Sequence, residues 1–392
     1  MVDEYVVAEE NLVEIIHKGI PTVSLLLKSL TMASLGYLYS LLTLINFDPV
    51  SFSTHRSTPE ANHKALFVFG DSLFDAGNNQ YLNTSVEGSA VIWPYGETYF
   101  DHPTGRISDG RILPDFIAQF ANLPLPPPYL EPGSHQFSDG TNFASAGAGV
   151  LPETQPGTIS LPSQLSNFKD MKKLLHQKLG GKETKNLLGR AVYFFSIGGN
   201  DYINLFTQYP KSSNSYKMQY VAMVIRNLTS VVKEVYDLGG RKIAFQNVAP
   251  LGCIPTVKSG NPEVGSKCLE EPLKLARLHN RALSVALKKL ESHLPGFKYS
   301  IFDYYNALGD RVNNPSIYGF KNGTSACCGS GAFRGSSCGT EPYELCSNPS
   351  EYVWFDGGHT TETANFQLAE LIWSGPSNVT GPYTMKQLFE QS

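Results

Sequence analysis

The strongest constraint on this chain is an alternation of short apolar runs and helical stretches. Residues 65–69, 191–197, 242–248 and 298–302 have the length and composition of buried strands. Residues 216–238 read as a helix closed by Gly239 and Gly240, a glycine C-cap. Leu273, Ala276, Leu283, Leu287, Leu290 and Leu294 share one face of a second helix, which Gly296 ends. Asn280 interrupts that face, and nothing in the sequence accounts for it. Strand, helix, strand, helix, strand implies an α/β fold with a doubly wound parallel sheet and helices on both faces. In such sheets ligands sit at the carboxyl ends of the strands. Those ends are therefore where chemistry-bearing residues matter most.

The 392 residues suit one large domain, expected over 64–382, with the Pro-rich stretches 124–132 and 152–162 as loops. A net charge of −4, without a basic block interleaved with aromatics, excludes a nucleic-acid footprint. The cysteines, at 253, 268, 327, 328, 338 and 346, form one pair and one cluster of four. A zinc site would compete for the cluster, but no C-x-x-C pair or accompanying histidine supports it, so disulfides are expected. Residues 35–47 are mostly apolar and precede Ser51-Phe52-Ser53, a small-x-small cleavage pattern. A secretory signal over 32–53 is expected, after an acidic extension over 1–31. The apolar run is too short to span a membrane. N-x-S/T sequons at Asn83, Asn227, Asn322 and Asn378 agree with a secreted, extracellular glycoprotein, and a monomer is expected.

The run FVFGDSLFDAGNN, residues 67–79, puts Asp71 and Ser72 where the first strand stops. A core strand needs no serine at its tip, whereas a nucleophile does. A serine hydroxyl is weak and needs a base, an acid to orient that base, and donors for an oxyanion. Among the histidines, His17, His55 and His63 precede the first strand. His102, His135, His176, His279 and His293 have no strand-end context, which favours solvated or capping roles. His359 lies after an aromatic run in YVWFDGGHTTETANFQLAE, with Asp356 three residues earlier. A glycine turn lets Asp356 accept from the imidazole; the competing role for Asp356 is to start the following helix. SIGGNDY, residues 196–202, puts Asn200, a suitable side-chain donor, at the tip of the second strand. NFASAGAGV, residues 142–150, is a small-residue loop whose backbone N–H groups can approach an oxyanion closely.

These four motifs, in this order, resemble the plant GDSL esterase/lipases of the SGNH hydrolase superfamily, over residues 64–382. The resemblance implies a flavodoxin-like three-layer α/β fold. It implies Ser72 as nucleophile and His359 as base, aligned by Asp356. It implies an oxyanion hole of the Ser72 N–H, Gly147 and Asn200, with Gly149 as the alternative to Gly147. It implies a small-molecule or lipid ester as substrate, with no metal or organic cofactor. Family members commonly carry proline after the histidine; here Thr360 stands there and is expected to cap the helix instead. Gly335-Ser336-Ser337-Cys338-Gly339 matches G-x-S-x-G, but in a cysteine-rich stretch without the strand and helix that pattern requires, so Ser337 is set aside.

The reaction expected is hydrolysis of carboxylic esters through an acyl-enzyme. An acyltransferase would share its first step, and a secreted binding or defence protein would lack it. Phe74, Phe143, Tyr202 and Trp354 are candidates to line an acyl groove or, equally, to pack the core.

Overall fold

Five short strands form the parallel part of one sheet: β1 (Leu66–Gly70), β2 (Gly140–Asn142), β3 (Val192–Ser196), β4 (Lys242–Gln246) and β5 (Lys298–Phe302). Four more strands make two small pairs. β6 (Asn322–Ala326) runs parallel to β9 (Tyr352–Trp354), and β7 (Cys328–Gly329) runs antiparallel to β8 (Glu344–Leu345). β10 (Thr380–Pro382) closes the main sheet antiparallel to β5, giving the order β10-β5-β4-β3-β1-β2. These coordinates come from a computed structural model that describes residues 64–82, 90–133 and 136–391, all within one compact unit. The expected extension and signal, Asn83, His17, His55, His63 and His135 lie outside the described residues.

The helices are α1 (Leu113–Phe120), α2 (Leu161–Leu179), α3 (Gly181–Arg190), α4 (Gly199–Gln208), α5 (Asn214–Asp237), α6 (Pro255–Ser259), α7 (Glu270–His293), α8 (Tyr304–Asn313), α9 (Glu362–Ser374) and α10 (Met385–Glu390). Apart from the short α6, they sort into two packed groups. One joins α2, α3, α5, α7 and α4; the other joins α1, α8, α9 and α10. A central, mostly parallel sheet flanked by helices is the three-layer arrangement expected.

Burial on both faces explains why β1 reads as a continuous apolar run. Side chains of a strand alternate. Phe67 and Phe69 of β1 and Tyr193 of β3 therefore meet Phe168 of α2, with ring centroids 5.7, 5.8 and 5.6 Å apart. Phe194, on the opposite parity, meets Phe74 at 4.4 Å. Phe168 is fully buried, so truncating it to Ala is expected to cost about 3–5 kcal/mol. Part of the stretch expected to be a loop is helical: Leu161 and Pro162 begin α2. Proline is tolerated there because the first-turn N–H groups have no helical partner.

Asn280 is explained by what it holds. Its Oδ1 accepts from the Val248 N–H at 2.9 Å, and its Nδ2 donates to the Val248 carbonyl at 2.9 Å. One side chain replaces a strand neighbour just past β4, where the ladder has ended. That is why an amide sits on an otherwise apolar face of α7.

The parallel strands have the order 2-1-3-4-5. The chain moves outward from β1 to β2, then crosses back to β3. The topological switch point, where such sheets open a crevice, lies between the carboxyl ends of β1 and β3.

Candidate active site

β1 ends at Gly70, and several elements clamp that end. The Gly70 N–H donates to Gln164 Oε1 at 2.9 Å, and Gln164 Nε2 donates back to the Gly70 carbonyl at 2.7 Å. The Ser145 N–H reaches the same carbonyl, and the Asp71 N–H donates to the Ser196 carbonyl, both at 3.1 Å. Ser72 is thus held at the switch point and is half-buried. Asp71 beside it is buried, and burial pushes its carboxyl up to about 7.

The small-residue loop after β2 is tied to the same place by two buried carboxylates. Asp75 accepts from the N–H groups of Gly77, Asn78 and Ala146 at 2.7, 2.6 and 2.9 Å. Asp201 accepts from Val150 and Leu151 N–H at 2.9 and 3.0 Å and from the Thr154 hydroxyl at 2.6 Å. Between those anchors Gly147 has φ +81°, and a Cβ there would strike the Gln155 side chain. Gly149 is buried beneath Thr154. Gly198, at φ +117°, makes the bend from β3 into α4 and brings Asn200 to the crevice. Asn200 Nδ2 donates to the Ala148 carbonyl at 3.0 Å, so the two motifs are directly joined.

The third part comes from the far end of the chain. His359 Nδ1 lies 2.7 Å from Asp356 Oδ1. The same oxygen accepts the Gly358 and His359 backbone N–H groups, each at 2.8 Å. Asp356 Oδ2 accepts from the Tyr95 hydroxyl at 2.8 Å. Burial alone would raise the Asp356 pKa. The His359 charge and ring donor, the Gly358 N–H and the Tyr95 hydroxyl outweigh it and hold the carboxyl below its ordinary range. Burial would lower the His359 pKa, but the Asp356 charge and hydrogen bond, with the Asp71 charge, leave it above its usual value. With Nδ1 directed at a carboxylate, Nε2 is the nitrogen left free to act as a base.

Ser72, Asn200 and His359 line one cavity of about 210 Å³. Its apolar wall includes Leu73, Ile197, Ile203, Leu251, Ile254 and Trp354. No hydrogen bond joins Ser72 to His359 among the described residues; both border the same space. Gly147 is not among the lining residues and reaches the site only through its loop, beside the Ala148 carbonyl that Asn200 holds. No hydrogen bond among the described residues takes up the backbone N–H of Ser72 or Gly147.

The profile of the family described as GDSL-like Lipase/Acylhydrolase matches residues 66–372, most of the chain. The chain belongs to that family. It is accordingly a carboxylic ester hydrolase by class. It is 50% identical over 344 residues to GDSL esterase/lipase 1 of Arabidopsis thaliana, covering 84% of this chain and 91% of that one. It is 49% identical over 329 residues to a GDSL lipase of Tanacetum cinerariifolium, covering 83% and 88%. It is also 38% identical over 371 residues to an Arabidopsis protein named inactive GDSL esterase/lipase-like protein 25, covering 94% and 83%.

Several expectations need correction against this GDSL-family structure. Thr361, not Thr360, caps α9, accepting from the Ala364 N–H at 3.2 Å. Thr360 is buried, and its hydroxyl donates to Asn365 Oδ1 at 2.6 Å. His279 is neither solvated nor a cap. It is fully buried with Nδ1 2.7 Å from the Tyr202 hydroxyl, and burial lowers its pKa to about 3. Phe74, Phe143 and Tyr202 pack the core, leaving Trp354 as the one proposed aromatic that lines the cavity. Ser337 is exposed at φ +60° on a loop stapled by Cys328–Cys338, without a flanking strand-to-helix turn. The cysteine cluster forms disulfides 327–346 and 328–338, and the pair forms 253–268.

Sequence reasoning passed over Gln164, Asp75, Asp201 and Tyr95. Asp75 and Asp201 lie inside the quoted motifs, so their position was the available signal. Gln164 and Tyr95 carried none.

Proposed function

We propose that this protein hydrolyses carboxylic esters in two acyl-transfer steps, with Ser72, His359 and Asp356 as the catalytic set. His359 Nε2 takes the Ser72 proton as the hydroxyl oxygen attacks the ester carbonyl. The negative oxygen of the tetrahedral intermediate accepts from the Ser72 and Gly147 N–H groups and the Asn200 amide. Asn200 uses one amide hydrogen on the Ala148 carbonyl, which leaves its second for the reacting oxygen. The imidazolium then protonates the leaving alcohol. Water, deprotonated by His359, attacks the acyl-serine and releases the acid and Ser72. Asp356 stays ionised and steadies the imidazolium.

The observation that carries this reading is the 2.7 Å His359–Asp356 contact opening onto the cavity that Ser72 also borders. Secretion is part of the reading. It is supported by three disulfides, which persist in oxidising compartments, and by exposed sequon residues at Asn227 and Asn378.

The test uses purified protein and a short p-nitrophenyl ester. Ser72→Ala should abolish turnover and prevent labelling by a serine-reactive phosphonate. Asn200→Ala should lower kcat by roughly 10²–10³, the effect of one oxyanion donor. Full activity in Ser72→Ala would remove Ser72 from the mechanism. A wild-type protein that neither turns over ester nor takes the phosphonate would place it with the inactive relative. New ester formed from an added alcohol would identify an acyltransferase.

A further inference from the structure

Tyr95 lies 261 positions before Asp356, in the stretch WPYGET, outside every motif that carries the family resemblance. Yet its hydroxyl donates to Asp356 Oδ2 at 2.8 Å. Three donors crowd the other carboxylate oxygen: His359 Nδ1 and the backbone N–H groups of Gly358 and His359. Oδ2 has the tyrosine. Without it that oxygen would be a buried acceptor facing no donor among the described residues.

The phenol is fixed as firmly as the acid. Its ring meets Phe355 edge-on at 5.5 Å and sits in a small cluster with Ile107, Ala146, Cys327 and Cys328. The backbone on each side is closed, by Tyr95 N–H to the Ile92 carbonyl at 3.2 Å and Gly96 N–H to the Ser108 carbonyl at 3.0 Å. Burial, with the Asp356 charge, pushes the phenol well above its ordinary pKa, so it stays a neutral donor.

We infer that Tyr95 is a positioning residue of the proposed catalytic set, its O–H holding Asp356 in the rotamer that orients and polarises His359. It touches no substrate and acts only through the acid. The bland alternative is a core tyrosine whose hydroxyl happens to find an acceptor. The two differ in what the hydroxyl alone does to chemistry.

The inference rests on the triad reading above, so the experiment tests both separately. Tyr95→Phe keeps the ring and removes the hydroxyl. It should lower kcat about tenfold on a p-nitrophenyl ester with KM little changed, the scale of one hydrogen bond to a charged group. The cycle with Asp356→Asn is the decisive arm. If Tyr95 works through the acid, adding Tyr95→Phe to Asp356→Asn costs less than twofold, because the charge it supports is already gone. The acid limb of kcat/KM gives a second readout. A carboxylate that has lost a donor holds the imidazolium more strongly, so the limb should move to higher pH. Asp71 is the other acid facing the His359 ring, and it is unaltered in the variant, so a limb set by Asp71 would stay in place.

Wild-type kcat and pH profile in Tyr95→Phe, with Ser72→Ala inactive, would overturn the inference and leave the triad standing. Equal tenfold losses with and without Asp356→Asn would assign Tyr95 a structural role and overturn it too. Activity in Ser72→Ala would overturn the triad itself. A thermal melt of Tyr95→Phe that matches wild type keeps loss of folded protein out of the comparison.

Discussion

The two halves of the site are rigid by opposite means. Ser72 sits on a turn whose preceding residues are strand, and its anchors are mainly sheet-like: Asp71 N–H to Ser196 O, and Gln164 paired with both polar atoms of Gly70. Asp356 and His359 sit on an irregular loop that joins β9 to α9. That loop is held by backbone bonds from segments outside the main sheet: Cys327 N–H to Trp354 O at 2.9 Å, Cys328 N–H to Phe355 O at 2.7 Å, and Thr256 N–H to Gly357 O at 2.7 Å. The Gly335 backbone packs so closely on Gly357 that a Cβ there would collide with it. The segments doing the holding are themselves cross-linked, by 327–346, 328–338 and 253–268. A sheet fixes Ser72 through burial and ladder bonds. The loop of Asp356 and His359 lies outside the main sheet, so covalent staples and long-range hydrogen bonds replace the ladder.

The largest effect that sharpens this contrast is catalytic. Ser72→Ala should lower kcat by roughly 10⁶, while Asp356→Asn, which leaves Ser72 and the oxyanion donors intact, should lose roughly 10⁴. Steady-state kinetics on one ester, with both variants shown folded, would decide; equal losses would erase the distinction between the reacting group and its support. Next comes the covalent support. Cys327→Ser with Cys346→Ser should cost about 2–4 kcal/mol of stability. Activity in that variant should fail at a lower temperature than the global circular-dichroism transition, because the His359 loop loosens before the sheet melts. Coincident curves would mean that the loop has no separate anchorage.

A smaller effect concerns the cavity wall on the sheet side. Asn280→Ala removes both bonds to Val248 and should cost about 1–3 kcal/mol, with the disulfide-held loop unaffected. Chemical denaturation would measure it, and a change below about 0.3 kcal/mol would show that Asn280 does not hold the β4 exit. The last comparison is one of pH. The Asp71 carboxyl has a folded pKa of about 7 against an ordinary 3.8, because burial disfavours its charge. A raised acid binds its proton more tightly in the folded state, so its ionisation lowers stability as pH rises from about 4 through about 7. Asp71→Asn should therefore raise the thermal midpoint at pH 8 and leave it nearly unchanged at pH 4. His359 shifts upward too, mainly through Asp356, which both proteins keep; the smaller part owed to the Asp71 charge is lost in Asp71→Asn. A midpoint gain independent of pH would refute the buried-charge account.

The Ser72 side was readable because sequence-local rules produce it. Residues 298–302 form a strand with the bounds expected, and the apolar run before Gly70 is β1 to within one residue. The helix expected over 216–238 is Asn214–Asp237, and Gly239 adopts φ +123° as its terminating residue. Period, glycine and strand length are properties of neighbours in the chain, so they survive without a third dimension. The Asp356–His359 pair was readable for the same reason, since three residues of turn bring the side chains together.

What the chain order determined unaided was therefore the strand–helix alternation, the Asp71–Ser72 tip and the local Asp356–His359 contact. Only tertiary structure decided that these meet in one cavity beside Asn200. It also paired 327 with 346 and 328 with 338, buried His279 under Tyr202, and gave Thr361 rather than Thr360 the cap. It delivered Gln164 and Tyr95 to positions no local pattern marks. The physical reason is common to all of them. A hydrogen bond or disulfide across a long stretch of chain is selected by where packing leaves a donor, an acceptor or a thiol, and packing depends on the whole set of buried surfaces at once.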